Sequence, residues 1–174
     1  MNVLAIIPAR GGSKGIKDKN IIELAGYPLI AYSVAAAKSS NKIDKVLCST
    51  DSKKIADIAT KYGAEAPFRR PLELAQDDTP DYPVFEHAVN WLIKNENYYP
   101  DIIVHLRPTS PIRFKQDIDK AIKKIIGNPS ADSLRAVCQA PNTPYKMWIK
   151  TDNFLKPLMK IEGIKEPYNM PRQK

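Results

Sequence analysis

The sequence predicts an α/β fold: a three-layer α/β/α Rossmann-like sandwich with a mostly parallel central sheet, plus a C-terminal arm. Three observations predict it. Short apolar, β-branched runs alternate with stretches of helical period. The first run, VLAII at 3–7, is apolar throughout, as a strand covered on both faces must be. The Gly-, Pro- and Ser-containing motifs follow the ends of the runs, where open parallel sheets hold their ligands.

After the first strand, Pro28 suits the first turn of a helix reaching about Lys38, with Leu29, Ile30, Ser33, Ala36 and Ala37 on one face. KVLCST at 45–50 reads as the second long strand. Asp51 or Ser52 caps the next helix, in which Ile55, Ile58, Ala59 and Tyr62 recur, and Gly63 ends it. A short strand is expected over 65–68. Asp81 suits the N-cap of a helix lined by Val84, Phe85, Ala88, Val89 and Leu92. DIIVHL at 101–106 is the third long strand, and Ile118, Ala121, Ile122 and Ile125 mark a helix over 115–126. ADSLRAVC at 131–138 reads as a fourth. Residues 1–139 then form the α/β domain. Residues 140–174, with prolines, aromatics and no sustained period, form an arm or small subdomain that packs on a partner subunit.

The 174 residues are enough for one domain with a core; 43% are hydrophobic and 26% charged, which excludes disorder. A net charge of +8 suits an anionic partner. Nothing interleaves basic and aromatic residues as a single-strand nucleic-acid groove would, so no nucleic-acid partner is expected. No apolar run is long enough to cross a bilayer, and Met1 leads straight into the first strand without a charged leader; a cytoplasmic protein is expected. Cys48 and Cys138 sit in apolar runs and read as small buried side chains in a reducing compartment. His87 and His105 lack metal-ligand spacing and read as structural.

The opening loop, IIPARGGSKGIKDKN at 6–20, carries the chemistry. Adjacent glycines let backbone N–H groups approach an anion, and successive amides form a concave anion site. Arg10, Lys14, Lys17 and Lys19 neutralise phosphate charge, and Ser13 adds a hydroxyl. The pattern is neither GxxxxGK[ST] nor GxGxxG. By its residues alone it is a phosphate cradle or a solvated turn.

The loop resembles the signature of the CMP-sugar synthetases, particularly the N-acylneuraminate cytidylyltransferases. The resemblance rests on IIPARGGSKGI, Lys19-Asn20, AGYPLIAYS at 25–33, STDS at 49–52, YGAE at 62–65, RRPLELAQDDT at 69–79, LRPTSPIR at 106–113 and PRQ at 171–173. It implies condensation of CTP with a nonulosonic acid, a nine-carbon acidic sugar of the sialic acid type, with release of pyrophosphate. Ala9, Arg10, Gly11, Gly12, Ser13, Lys14, Lys19, Asn20 and Arg70 would bind the nucleotide, and Arg10, Lys19 and Asn20 would act on the reacting phosphate. Arg107, Thr109, Ser110, Lys146 and Arg172 would meet the sugar, the last two from a neighbouring subunit of a homodimer. Magnesium is implied; Asp51, Asp77 and Asp78 are possible ligands, none identified. Legionaminic, pseudaminic or Kdo-like acids are close variants, although the GGSKG loop argues against Kdo. A sugar-1-phosphate nucleotidyltransferase and a non-catalytic nucleotide-binding subunit are the alternatives.

Two positions depart from the family pattern. Arg107 stands where many relatives carry glutamine; it pairs with the sugar carboxylate, favours a different acid sugar, or binds an acidic neighbour in the protein. Asp81 stands where the family often has a small hydroxyl residue, and is expected to be a helix cap. Relatives also continue beyond PRQ with further strands and with acidic residues that hold magnesium. The sequence is therefore expected to be a fragment, one part of a two-chain enzyme, or a reduced binding protein.

Overall fold

A computed structural model describes residues 1–13, 15–138, 144–160 and 162–163. The chain divides into two compact units, Met1–Ser133 and Leu134–Lys174.

The first unit is built on strand β1 (Val3–Pro8). A small antiparallel ribbon, β2 (Glu23–Leu24) and β3 (Tyr27–Pro28), follows the opening loop and leads into helix α1 (Leu29–Ser39). Strand β4 (Lys45–Ser49) and helix α2 (Lys53–Lys61) come next, then α3 (Asp81–Glu96), β5 (Ile102–His105) and α4 (Lys115–Ile126). The sheet order is β4-β1-β5, and both pairings of β1 are parallel.

The period-two alternation of β1 explains the layers. Val3, Ala5 and Ile7 face one core with Val46 and Cys48, covered by Ile30 and Val34 of α1, Ile55 and Ala59 of α2, and Ile118 and Ile122 of α4. Leu4, Ile6 and Leu47 face the other core, covered by Ala88 and Leu92 of α3 and by Phe68. The result is the expected α/β/α sandwich with a parallel sheet. Because the strands are parallel, the loops after Pro8, Ser49 and His105 all leave from one end of the sheet.

The local signals mostly act as expected. Ser52 caps α2, its side chain accepting the N–H of Ile55, and Gly63 takes a φ of 102° just beyond the helix. Four expectations fail. Residues 131–138 form no strand: Leu134 and Val137 are exposed, and among the described residues no strand pairs with them. Cys138 is consequently exposed, whereas Cys48 is buried as expected. The strand expected over 65–68 shrinks to one bridge, Leu47 to Glu65, before Pro67 interrupts it. Asp81 begins α3 without capping it; Pro80 holds the N-cap position and no side-chain cap bond forms.

In the second unit, strands β6 (Trp148–Thr151) and β7 (Phe154–Pro157) form an antiparallel hairpin, turning at Asp152 with a φ of 53°. Periodicity did not signal this short hairpin. No helix among the described residues is long and apolar enough to cross a membrane.

Candidate active site

Two of the three strand-end loops, those after β1 and β5, border one cleft of about 350 Å³; the loop after β4 does not line it. Arg10, Ser13, Lys19 and Asn20 line it from the opening loop, and Arg107 and Thr109 from the turn after β5. Arg70, Gln76, Asp77 and Thr79 close it from the segment before α3, and Asp81 from the first turn of that helix.

The opening loop is held from inside. Ala9 is buried, and its N–H continues the sheet by donating to the Ser49 carbonyl at 3.0 Å. The Gly11 N–H donates to Asp51 Oδ1 at 2.8 Å. A side chain at Gly11 would meet Asp51 Oδ2 at 3.3 Å, so glycine permits this close approach. Gly12 takes a φ of 64°, the left-handed region that other residues enter only with strain. Asn20 is buried and its Nδ2 donates to the Arg10 carbonyl at 2.9 Å, fixing the loop where it turns into the cleft. Lys14 lies outside the described residues.

Arg70 is 5% exposed. Its Nε donates to Ser49 Oγ at 3.1 Å, one Nη to the Ser49 carbonyl, and the other to the Leu74 carbonyl at 3.4 Å. Burial lowers its pKa, and the Asp51 carboxylate partly opposes that. It therefore ties the end of β4 to the segment that follows, as well as facing the cleft.

Arg107 donates to Asp81 and, through Nε, to His105 Nε2 at 3.4 Å. The two positions that departed from the family pattern are thus ion-paired with each other. Burial holds the His105 imidazole below its usual pKa, with Arg107 and Arg113 acting in the same sense and Asp81 against. Its ring packs edge-on against Phe85 at 4.7 Å. On the other side of the cleft, Arg10 is paired with Asp77.

Three residues of the site were missed by sequence reasoning, and the first is a supporting one. Arg113 donates to Ser33 Oγ at 2.9 Å and to the Arg107 carbonyl at 2.7 Å. The fully buried Ser33 hydroxyl donates to the same carbonyl at 3.3 Å, and the Ser110 N–H reaches it at 3.2 Å. Together they fix the turn that presents Arg107 and Thr109. The arginine in LRPTSPIR was the available signal. Gln76 and Thr79 were also missed, because the loop that carries them has no period.

Ser110 is exposed and is not among the residues lining the cleft. Lys146 ends a short 3-10 turn, Pro144–Lys146, of the second unit, and Arg172 lies outside the described residues. For magnesium, the carboxylates near the loop are engaged: Asp51 with the Gly11 amide and Asp77 with Arg10. Among the described residues no three His, Cys, Asp or Glu side chains gather as a metal site. The described residues therefore hold no preformed all-protein cage; one or two carboxylates such as Asp51 or Asp77, together with ligand phosphates, would be what holds magnesium here.

Comparison with known proteins is consistent with this arrangement. Residues 4–164 match the family described as Cytidylyltransferase. The chain is 41% identical over 130 residues to a pseudaminic acid cytidylyltransferase of Campylobacter jejuni, covering 75% of this chain and 56% of that protein. It is 42% identical over 125 residues to a CMP-N,N'-diacetyllegionaminic acid synthase of Legionella pneumophila, covering 71% and 53%. The chain thus spans little more than half the length of these curated relatives. Among solved structures, a cytidylyltransferase from Leptospira borgpetersenii superposes with a TM-score of 0.57 at 25% identity, over 74% of this chain and 50% of that one. A CMP:2-keto-3-deoxy-manno-octonic acid synthetase complexed with CTP superposes with a TM-score of 0.62 at 18% identity, over 75% and 49%, a likeness of fold. With the match running through the opening loop, all three strands and the turn after β5, the chain belongs to the cytidylyltransferase family.

Proposed function

We propose that this chain carries the nucleotide half of a cytidylyltransferase that joins CTP to a nonulosonic acid. The anomeric hydroxyl oxygen of the sugar bonds to the α-phosphorus, the bond to the β-phosphate bridging oxygen breaks, and pyrophosphate leaves as the hydroxyl gives up its proton. The products are the CMP-sugar and pyrophosphate. The observation that carries this reading is the cleft itself, with Arg10, Ser13 and Lys19 on one wall and Arg107 and Thr109 on the other. One wall suits a triphosphate and the other a carboxylated, hydroxylated ligand.

The residues act by positioning and charge neutralisation, as phosphoryl transfer requires. Arg10 and Lys19 take the triphosphate charge. Asn20 holds the loop in shape through the Arg10 carbonyl, and Gly11 lets the loop pack closely against Asp51. Arg70 faces the nucleoside end, while Arg107 takes the sugar carboxylate. The relatives named for pseudaminic and legionaminic acids favour sugars of that class. On the same reading the enzyme works in the cytoplasm as a homodimer, with Lys146 and Arg172 serving the neighbour's sugar, and needs magnesium.

The test is pyrophosphate release from CTP and magnesium with a panel of nonulosonic acids. Release that depends on one acid supports the proposal and names the substrate. CTP binding without release for any acid refutes turnover by this chain and leaves a nucleotide-binding unit.

A further inference from the structure

Two of the three arginines lining the cleft, Arg10 and Arg107, are already paired, and with carboxylates of one short segment. Asp77 lies in the loop before α3, and Asp81 lies in the first turn of that helix. Arg10 approaches from the loop after β1 and Arg107 from the turn after β5. All four side chains line the same cleft. A ligand with a phosphate at one end and a carboxylate at the other would find Arg10 and Arg107 occupied by protein carboxylates.

We propose that Asp77 and Asp81 are internal counter-anions, which an anionic ligand displaces from Arg10 and Arg107 when it binds. The inference rests on the proposed function for the identity of the two ligands. Three features make the exchange feasible. The pairs are partly open to solvent, with side chains 30% and 36% exposed for Arg10 and Asp77, and 58% and 40% for Arg107 and Asp81. Pairs this exposed are weak and screened, so breaking one costs little. Arg107 stays directed when Asp81 yields, because its Nε donates to His105 at 3.4 Å. Asp81, once released, remains at the N-terminus of a 16-residue helix, where negative charge is favoured.

The exchange also confers selectivity. A neutral sugar offers Arg107 nothing better than the carboxylate it already holds. Only an anion of matching shape replaces Asp81 without loss. Asp77 does the same at the phosphate end. The two acids therefore set which ligand charge the cleft accepts.

The test is binding without divalent cations, using inorganic tripolyphosphate at one end and N-acetylneuraminate at the other. Asp77→Asn should bind tripolyphosphate about two- to fivefold more tightly than the parent chain, the range set by a screened ion pair, with the sugar unaffected. Asp81→Asn should bind N-acetylneuraminate tighter by about the same factor, with its methyl ester and tripolyphosphate unaffected. Asp77→Glu and Asp81→Glu keep the charge and should bind as the parent does, which separates exchange from a folding defect. Weaker binding in either asparagine variant, or equal changes for both ligands, would overturn the proposal. So would a failure of tripolyphosphate to bind both the parent and Asp77→Asn. Tightening of tripolyphosphate with no preference for CTP and no pyrophosphate release would keep the exchange and discard the cytidylyl reading.

Discussion

Arg10→Ala should weaken CTP binding by about 10- to 150-fold. Arg10 lines the cleft and is paired with Asp77, its side chain 30% exposed. A hydrogen bond to a charged partner contributes a net of roughly 1.5–3 kcal/mol, and about 1.4 kcal/mol is tenfold in affinity. The truncation also leaves the Asp77 carboxylate facing the triphosphate uncompensated, which places the loss toward the upper end of that range. Arg10→Ala with Asp77→Asn should accordingly recover about two- to fivefold of it. Calorimetric titration with CTP in metal-free buffer measures both variants against the parent chain, with thermal melting as the folding control. An Arg10→Ala affinity within twofold of the parent, in a variant that melts normally, would refute the phosphate cradle.

Two further predictions follow from burial and backbone geometry. Gly12→Ala meets nothing within 4 Å, so its cost is the strain of a left-handed φ of 64°, about 1–2 kcal/mol, readable as a lower melting temperature; no change would mean that the loop relaxes at no cost. Burial pushes the Cys48 thiol from its ordinary 9.0 up to about 12, so iodoacetamide at pH 8 should label Cys138 in the native protein and reach Cys48 only after unfolding. The unfolded chain ionises that thiol first, so its contribution to stability is intact below pH 9.0 and lost as pH rises toward about 12. Cys48→Ala should flatten that alkaline slope.

Much of the sandwich was legible because its signals are local. VLAII, the 3.6-period of α4 and the Ser52 cap each act within a few residues. The strand expected over 131–138 had the right composition, but a strand also needs a partner edge, which is a property of the assembled sheet. Asp81 was read as a cap for the same reason: its neighbours in sequence suit one, whereas its partner Arg107 lies 26 residues away. The opening loop and the LRPTSPIR turn were visible as motifs, and the structure brings residues of both to one cleft. The paired state of the two arginines was not visible, because it depends on where the loop before α3 comes to rest. Arg113 was overlooked because its work is done through a backbone carbonyl.

The central strand of the sheet is made before either of the strands that pair with it. The backbone N–H of Val3 is met by Asp44, 41 residues on, and that of Asn2 by Asp101, 99 residues on. At synthesis rates of roughly 5–20 residues per second, the second of these contacts becomes available about 5–20 s after the first residues are joined. Until then VLAIIP, apolar and rich in β-branched side chains, has only one of its two flanking strands to pair with. Such a segment is exposed to aggregation while unpaired, and the high sequence separation between partners makes folding slow. The aggregation hazard of this segment therefore lies in the interval between the synthesis of β1 and that of β5.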